Sequence, residues 1–317
     1  MKEFIINAND AGQRMDKFIT KAVPALPKNL MYKYLRLKRI KLNGKRCEIS
    51  TKLSEGDTVQ MYINDEFFPE ESGKPDFLLS PAVLDIVYED ENILLVNKKV
   101  GLVVHEDDEG SSDTLIGRIL HYLYNKKEYD PAKESSFVPA LCNRIDRNTS
   151  GIVICAKNAE SLRILNQKIK DRELSKHYLC VTVGIPEKKE AELKAYLIKD
   201  ETSNQVKIYP DMREGAKTVI TNYSIIKENR EKQLALLDVD LITGRTHQIR
   251  AHLAYEGYPL LGDGKYGINR INRQYNIKTQ ALCAYKLTFS FTTDAGCIAY
   301  LDGKSFEIKD VWFKELV

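Results

Sequence analysis

From about Pro81 to the C-terminus, short apolar segments of strand type outnumber helical ones and often follow one another directly. Strand candidates are Val83–Tyr88, Ile93–Asn97, Gly151–Ala156, Tyr178–Val183, Thr218–Tyr223, Leu234–Leu241, Ala284–Phe291 and Phe306–Val311. Helical spacing is confined to Asp113–Tyr124, Ala159–Lys170 and Thr246–Tyr255. Such an order disfavours a doubly wound parallel fold and predicts an α+β domain: a largely antiparallel mixed sheet flanked by helices. No internal repeat or low-complexity tract interrupts it.

The residues before Pro81 follow a different logic. Gln13–Ala22 and Asn29–Leu37 carry apolar residues at helical spacing, with Leu30, Tyr34 and Leu37 predicted to share one face. Asn43-Gly44 between short extended pieces is a strong hairpin signal, and Gly56-Asp57 leads into the alternating strand Thr58–Ile63. Residues 1–63 therefore form a small α+β module, and residues 64–80, acidic with Pro and Gly, read as a linker to a second domain over 81–317. A net charge of +3 says little by itself. Its distribution says more: Lys28, Lys33, Arg36, Lys38, Arg39, Lys41, Lys45 and Arg46 fall in one stretch without an acidic residue. They predict a basic face on the module, a candidate RNA-binding surface.

With 43% hydrophobic and 29% charged residues the chain is of ordinary globular composition. Apolar runs such as Ile152–Ala156 and Leu234–Leu237 fall far short of the roughly 18 residues that cross a bilayer. Met1–Asn7 lacks the apolar stretch of an export signal. The six cysteines form no Cys-x-x-Cys pair and read as reduced core residues, so a cytoplasmic location is expected.

Two segments carry candidate chemistry. Asn143-Arg144-Ile145-Asp146-Arg147-Asn148-Thr149-Ser150-Gly151 is a polar loop running into an apolar strand. An isolated aspartate there is read as a turn residue bonding its own backbone. A carboxylate bracketed by Arg144 and Arg147 at the mouth of a buried strand also suits a charge held on a rigid scaffold. Gly244-Arg245-Thr246-His247-Gln248-Ile249-Arg250-Ala251-His252 opens a helix that Gly257 can end. It reads either as a basic surface face or as a site. His247 and His252 are five residues apart, on well-separated faces, and the intervening glutamate of a zinc-hydrolase helix is missing, so no metal site is predicted. Gly257–Gly262 lacks the Lys-Ser or Lys-Thr of a phosphate loop, and neither a Gly-x-Ser-x-Gly elbow nor a Gly-x-Gly-x-x-Gly fingerprint occurs. Tyr178, opening an apolar strand, reads as core packing when taken alone.

Taken together these segments resemble the RluA-type family of RNA pseudouridine synthases. The family's nucleophile motif, approximately His-Arg-Leu-Asp-x-x-Thr-Ser-Gly followed by an apolar strand and Ala-Lys, is matched by Asn143–Gly151 with Ala156-Lys157. Tyr88–Lys98 with Gly101–His105 is similar to its first motif, Lys176-x-Tyr178 to its Lys-x-Tyr strand, and Gly244–Arg250 with Gly262-Asp263 and Tyr266-Gly267 to its third. Asn143 stands in place of the usual His, Lys99 in place of Pro, and Cys283 in place of a frequent His. Residues 14–63 resemble the small RNA-binding module first described in ribosomal protein S-four, through Arg14–Phe18, Lys38–Ile40, Leu42–Gly44 and Gly56-Asp57.

The resemblance implies an isomerase that converts uridine to pseudouridine in RNA, large-subunit ribosomal RNA in particular. It assigns the catalytic carboxylate to Asp146, with Tyr178 and Arg250 beside it. Substrate contacts are expected from Arg144, Arg147, Asn148, Thr149, Lys176, Arg245, His247 and Gln248. The reaction involves no redox change or energy input, so no cofactor, no metal and no obligate protein partner are implied. A non-catalytic RNA-binding factor of ribosome assembly and a nucleoside hydrolase using Asp146 are the competing readings.

Overall fold

Alternating burial in the first strands sets the N-terminal module. β1 (Lys2–Ile5), α1 (Met15–Ala22), α2 (Lys28–Arg36), β2 (Ile40–Leu42), β3 (Lys45–Arg46) and β4 (Thr58–Met61) build a four-stranded antiparallel sheet, in the order β1-β4-β2-β3, under two helices. This is a computed structural model, and it describes residues 1–68, 74–106, 111–200, 202 and 204–317. Phe18 and Ile19 from α1, Met31 and Leu35 from α2, and Val59 and Met61 from β4 close the core. Asn43 (φ 51°) and Gly44 (φ 73°) both take left-handed conformations, as the two-residue hairpin between β2 and β3 requires. The predicted face of Leu30, Tyr34 and Leu37 is corrected. The buried stripe is Met31, Tyr34 and Leu35, and Leu37 is exposed because α2 ends at Arg36 and the chain turns away through Lys38 at φ 60°.

The predicted linker is packed at both of its described ends. Phe67 and Phe68 lie against the module core, while Phe77 stacks edge-on to Tyr124 and Ser80 is buried, its hydroxyl donating to the Ser112 carbonyl at 2.8 Å. Residues 69–73 of that stretch lie outside the described residues.

The larger unit contains β5 (Ile86–Glu89), β6 (Ile93–Lys98), α3 (Leu115–Asn125), β7 (Ala140–Leu141), β8 (Ser150–Ala156), α4 (Ala159–Lys170), β9 (Leu174–Val183), β10 (Glu190–Asp200), β11 (Gln205–Tyr209), β12 (Lys217–Asn229), β13 (Leu234–Leu241), α5 (Gln248–Tyr255), α6 (Asn269–Gln274), β14 (Leu282–Phe289) and β15 (Ser305–Glu307). Its eleven-stranded sheet runs β11-β10-β12-β13-β9-β14-β8-β6-β5, with β15 on β14 and β7 on β8. The bounds of α4 and β13 are those predicted. The expected strand Phe306–Val311 shortens to Ser305–Glu307, and the hairpin of β10 and β11 and the helix α6 were not anticipated.

The middle strands are apolar on both faces because both are covered. Leu94, Val96, Val153 and Cys155 point to one side, against Leu115 and Ile119 of α3. Ile93, Leu95, Ile152 and Ile154 point to the other, against Leu165 of α4. All six cysteines are free thiols, and among the described residues no helix is long and apolar enough to cross a membrane.

Among the described residues the strand pairings are antiparallel except that of β14 with β8, which joins Cys283 to Ser150 and Ala284 to Gly151. On its other edge β14 pairs Cys283 with Leu179 of β9. The start of β8 and the middle of β9 thus lie at one level of the sheet. The loop that precedes β8 opens beside Tyr178.

Candidate active site

The loop 143–149 is fixed from below before it offers anything to a ligand. Asn143, the departure from the family pattern, accepts the Ile154 amide through Oδ1 at 2.8 Å, so its side chain closes the backbone of β8. The Asp146 carbonyl takes the Thr149 amide at 3.0 Å in a tight turn. Lys98 is wholly buried, and its ammonium donates to three carbonyls, those of Lys99 (3.0 Å), Leu102 (2.8 Å) and Arg147 (2.9 Å). Burial pushes this ammonium down to about 8, and the charge of Asp146 opposes the shift. Gln280 donates to the Thr149 hydroxyl at 3.2 Å. What remains of the loop for chemistry is the Asp146 carboxylate, partly exposed to a cavity of about 320 Å³.

Across that cavity α5 supplies the counter-charge. Arg250 donates to Asp146 Oδ2 from Nη1 at 2.9 Å, and grips Asp263 with Nε at 2.7 Å and Nη2 at 3.0 Å. Asp263 has no exposure and also accepts the amides of Lys265 and Tyr266 through Oδ1. Burial alone would raise its pKa, but the guanidinium and the two amides outweigh burial and hold the carboxyl below the usual range. Burial likewise opposes the charge on Arg250, yet its two carboxylate partners hold it above the ordinary value.

His247, the residue before α5, sits in the left-handed region at φ 50° and ψ 19°. A non-glycine residue held there stores about 1–3 kcal/mol of strain, the kind of cost that folds retain at sites. Its Nδ1 lies 3.0 Å from Tyr266 Oη and its Nε2 lies 3.9 Å from Asp146 Oδ2. Burial lowers its imidazole to about 4, opposed by Asp146 and reinforced by Arg250 and Lys265. The ring is neutral at neutral pH.

Tyr178 lines the same cavity from β9 and is buried, and burial first, then the charge of Asp146, keeps its hydroxyl protonated. Ile145, Leu241, Ile249 and Leu282 complete an apolar wall. Lys176, Arg144 and Arg245 bring cations to the lining. Arg144 and Arg245 are exposed, Lys176 is half-buried, and none of the three has an ion-pair partner among the described residues. Burial lowers the Lys176 ammonium.

Not every sequence candidate faces the cavity with a usable polar atom. Gln248 is buried, accepting from the Arg245 amide (3.1 Å) and the Thr243 hydroxyl (2.8 Å) and donating to the Ile220 carbonyl and the Thr221 hydroxyl (3.0 Å each). Its amide is committed to the turn before α5. Thr149 is buried against Gln280. Arg147 and Asn148 lie outside the cavity lining, and Arg147 Nε reaches the Gly101 carbonyl at 3.3 Å. Arg144 and Arg147 flank Asp146 in the sequence, and the cation bonded to it is the expected Arg250, 104 residues away. Asp263 and Tyr266, parts of a matched motif, were given no role from sequence, since their partners lie across a turn and on another element. His252 faces away, its Nδ1 3.0 Å from the Thr221 hydroxyl. Among the described residues no cluster of three or more His, Cys, Asp or Glu is placed to hold a metal.

On the N-terminal module, Lys28, Lys33, Arg36, Lys38, Arg39, Lys45 and Arg46 are exposed and Lys41 is half-buried. None of the eight joins an ion pair among the described residues. Arg39 lies over the Tyr34 ring and Lys41 over the Tyr62 ring.

Residues 92–255 match the family model for RNA pseudouridylate synthase. An uncharacterized RNA pseudouridine synthase of Mycoplasma genitalium is 33% identical, the match covering 90% of this chain and 88% of that protein. Ribosomal large subunit pseudouridine synthase C of Escherichia coli K12 is 32% identical over 86% of this chain and 82% of its own. The solved structure of human RNA pseudouridylate synthase domain containing 1 superposes with a TM-score of 0.58 at 21% identity, covering 74% of this chain and 87% of that one. That likeness concerns the fold, a large mixed sheet flanked by helices.

Proposed function

The chain belongs to the RNA pseudouridylate synthase family and is a pseudouridine synthase, and we propose that it modifies large-subunit ribosomal RNA with Asp146 as its catalytic carboxylate. The observation that carries the reading is the Arg250–Asp146 pair, set opposite Tyr178 in a cavity of mixed apolar and polar lining, where Arg144, Lys176 and Arg245 have no ion-pair partner among the described residues. The RNA class rests on the relatives named for the ribosomal large subunit.

The isomerisation breaks the bond from ribose C1′ to uracil N1, turns the base, and forms a bond from C1′ to C5; C5 loses a proton and N1 gains one. Asp146, held in place by the Arg250 guanidinium at 2.9 Å, attacks the sugar or removes a ribose proton. Tyr178 backs the freed uracil and, with its hydroxyl protonated, accepts the C5 proton only as it passes its own on. A paired uridine cannot reach so recessed a carboxylate, so the target is a loop nucleotide or one flipped from its helix. Arg144, Lys176 and Arg245 then contact flanking phosphates. The exposed cations of residues 28–46, in a module that we read as S-four-like, hold RNA further away.

Base-resolution mapping of pseudouridine in ribosomal and transfer RNA, from cells with and without the gene, tests this. Loss of a large-subunit site supports the proposal, and loss confined to transfer RNA overturns the substrate. Free uracil in place of pseudouridine from purified protein would make the chain a hydrolase.

A further inference from the structure

The Val206 amide donates to Tyr266 Oη at 2.8 Å, and the same oxygen lies 3.0 Å from His247 Nδ1. An amide N–H can only donate, so it occupies one acceptor position of the phenol oxygen. The proton of the phenol then has one acceptor at hand among the described residues, Nδ1 of His247. An imidazole that accepts at Nδ1 carries its hydrogen on Nε2 when neutral. Burial decides for the neutral form, while the charges facing the ring are divided: Asp146 and Asp263 favour protonation, and Arg250 and Lys265 oppose it. His247 Nε2 lies 3.9 Å from Asp146 Oδ2, too far for the two to bond directly.

A donor and an anionic acceptor held at that separation suit one atom that can accept from the first and donate to the second. A hydroxyl oxygen does both. Within an RNA chain the 3′ and 5′ oxygens of a nucleotide are esterified, so its one free ribose hydroxyl is the 2′-hydroxyl. We propose that Tyr266 is a positioning residue that fixes His247 as the Nε2–H tautomer, and that His247 and Asp146 together grip the 2′-hydroxyl of the target uridine. The site thereby tells RNA from DNA at the reacting nucleotide. This rests on the reading of Asp146 given above.

Two measurements on the full chain test it. The first needs no RNA: nitrogen-15 spectra of histidine-labelled protein, with the His247 signals assigned by loss in His247→Gln. An unprotonated Nδ1 with a protonated Nε2, shifting toward a mixture in Tyr266→Phe, is expected. A protonated Nδ1 in the native chain, or a tautomer unmoved by Tyr266→Phe, overturns the positioning role. The second compares single-turnover rates on RNA carrying uridine or 2′-fluorouridine at the mapped target. The native enzyme should discriminate by about tenfold to a hundredfold, the range of a lost hydrogen bond to a charged partner. In Tyr266→Phe and His247→Phe that ratio should fall toward the residual set by Asp146 alone. Equal ratios in all three proteins overturn the 2′-hydroxyl contact. If the native chain forms no pseudouridine on any RNA, the functional reading fails instead, and the tautomer result still stands or falls by itself.

Discussion

Arg250 holds two carboxylates at once, and that decides how its removal is read. In Arg250→Met the guanidinium contact that positions Asp146 is lost, so single-turnover isomerisation should fall by about tenfold to a hundredfold, the range of a lost hydrogen bond to a charged partner. The same change strands Asp263, which has no exposure and loses both guanidinium bonds. Breaking a buried pair on one side costs about 3–5 kcal/mol, so the variant should unfold at markedly lower denaturant. Asp263→Asn in that background should restore part of the loss, and a double-mutant cycle on denaturation midpoints measures it. Additive effects would show that Arg250 does not sustain Asp263. Asp146→Asn is the cleaner test of chemistry. The amide keeps an acceptor oxygen for Arg250, so stability and RNA affinity should stay close to native while isomerisation is lost. Turnover near the native rate in that variant would remove Asp146 from the mechanism. The sequence motifs singled out Asp146, Tyr178 and Arg250, and the fold brings the three to one cavity. The motifs could not reveal that Arg250 is shared, because Asp263 lies 13 residues further on, beyond α5 and the turn that follows it.

At the level of elements, the site depends on the parallel contact between β8 and β14. Gly151 adopts φ 123°, and a Cβ there would lie 2.4 Å from the Ala284 carbonyl oxygen. No side chain fits without separating the two strands. Gly151→Ala should destabilise the fold by more than the about 1–3 kcal/mol of its backbone conformation alone. It should also lower kcat by roughly a hundredfold, since displacement of the catalytic loop by an ångström has that effect. Denaturant midpoints and single-turnover rates check both, and a stable variant with native kcat would show that the contact does not set the loop. Where local signals were strong the elements were legible. Asn158 caps α4 by accepting the Ser161 amide at 2.8 Å, and β13 is continuously apolar from Leu234 to Leu237. β10 is less legible because only Ala195 and Leu197 of Glu190–Asp200 are buried, and the alternation of charged and apolar residues from Glu190 to Ala195 is broken by the apolar run Tyr196-Leu197-Ile198. β14 was placed two residues late because Leu282 and Cys283 bond across to β9 and β8, a partnership made in three dimensions rather than along the chain.

Over the whole molecule, the question is whether the basic module and the catalytic cavity act on one RNA as a unit. The loop after β1 is bonded to the larger domain: Asn7 and Asn9 donate to Glu134 at 3.2 Å and 2.9 Å, Asn9 accepts the Ala159 amide at 3.0 Å, and Gln13 donates to Ser136 at 2.8 Å. These polar contacts had no sequence signature, because short amides in a loop read as turn formers, whereas the cations of residues 28–46 were legible as a run. The module boundary also moves. Phe67 and Phe68 pack on its core, so a cut after residue 63 bares that core, and the catalytic part is better begun at Lys74. The protein covering residues 74–317 should bind RNA more weakly, with a shallower dependence of log affinity on log salt. Each lost phosphate contact lowers that slope by roughly 0.7–0.9. It should still isomerise at saturating RNA, since every residue lining the cavity remains. Asn9→Ala combined with Glu134→Ala should behave differently. The module stays attached through the linker and keeps its cations, so the slope should be native, while affinity falls modestly because the module loses its fixed orientation. Titrations of both proteins across a salt series separate the two effects. A native slope after deletion would mean that the Lys28–Arg46 face does not touch RNA, and a native affinity in the double variant would mean that the docking contacts do not orient it.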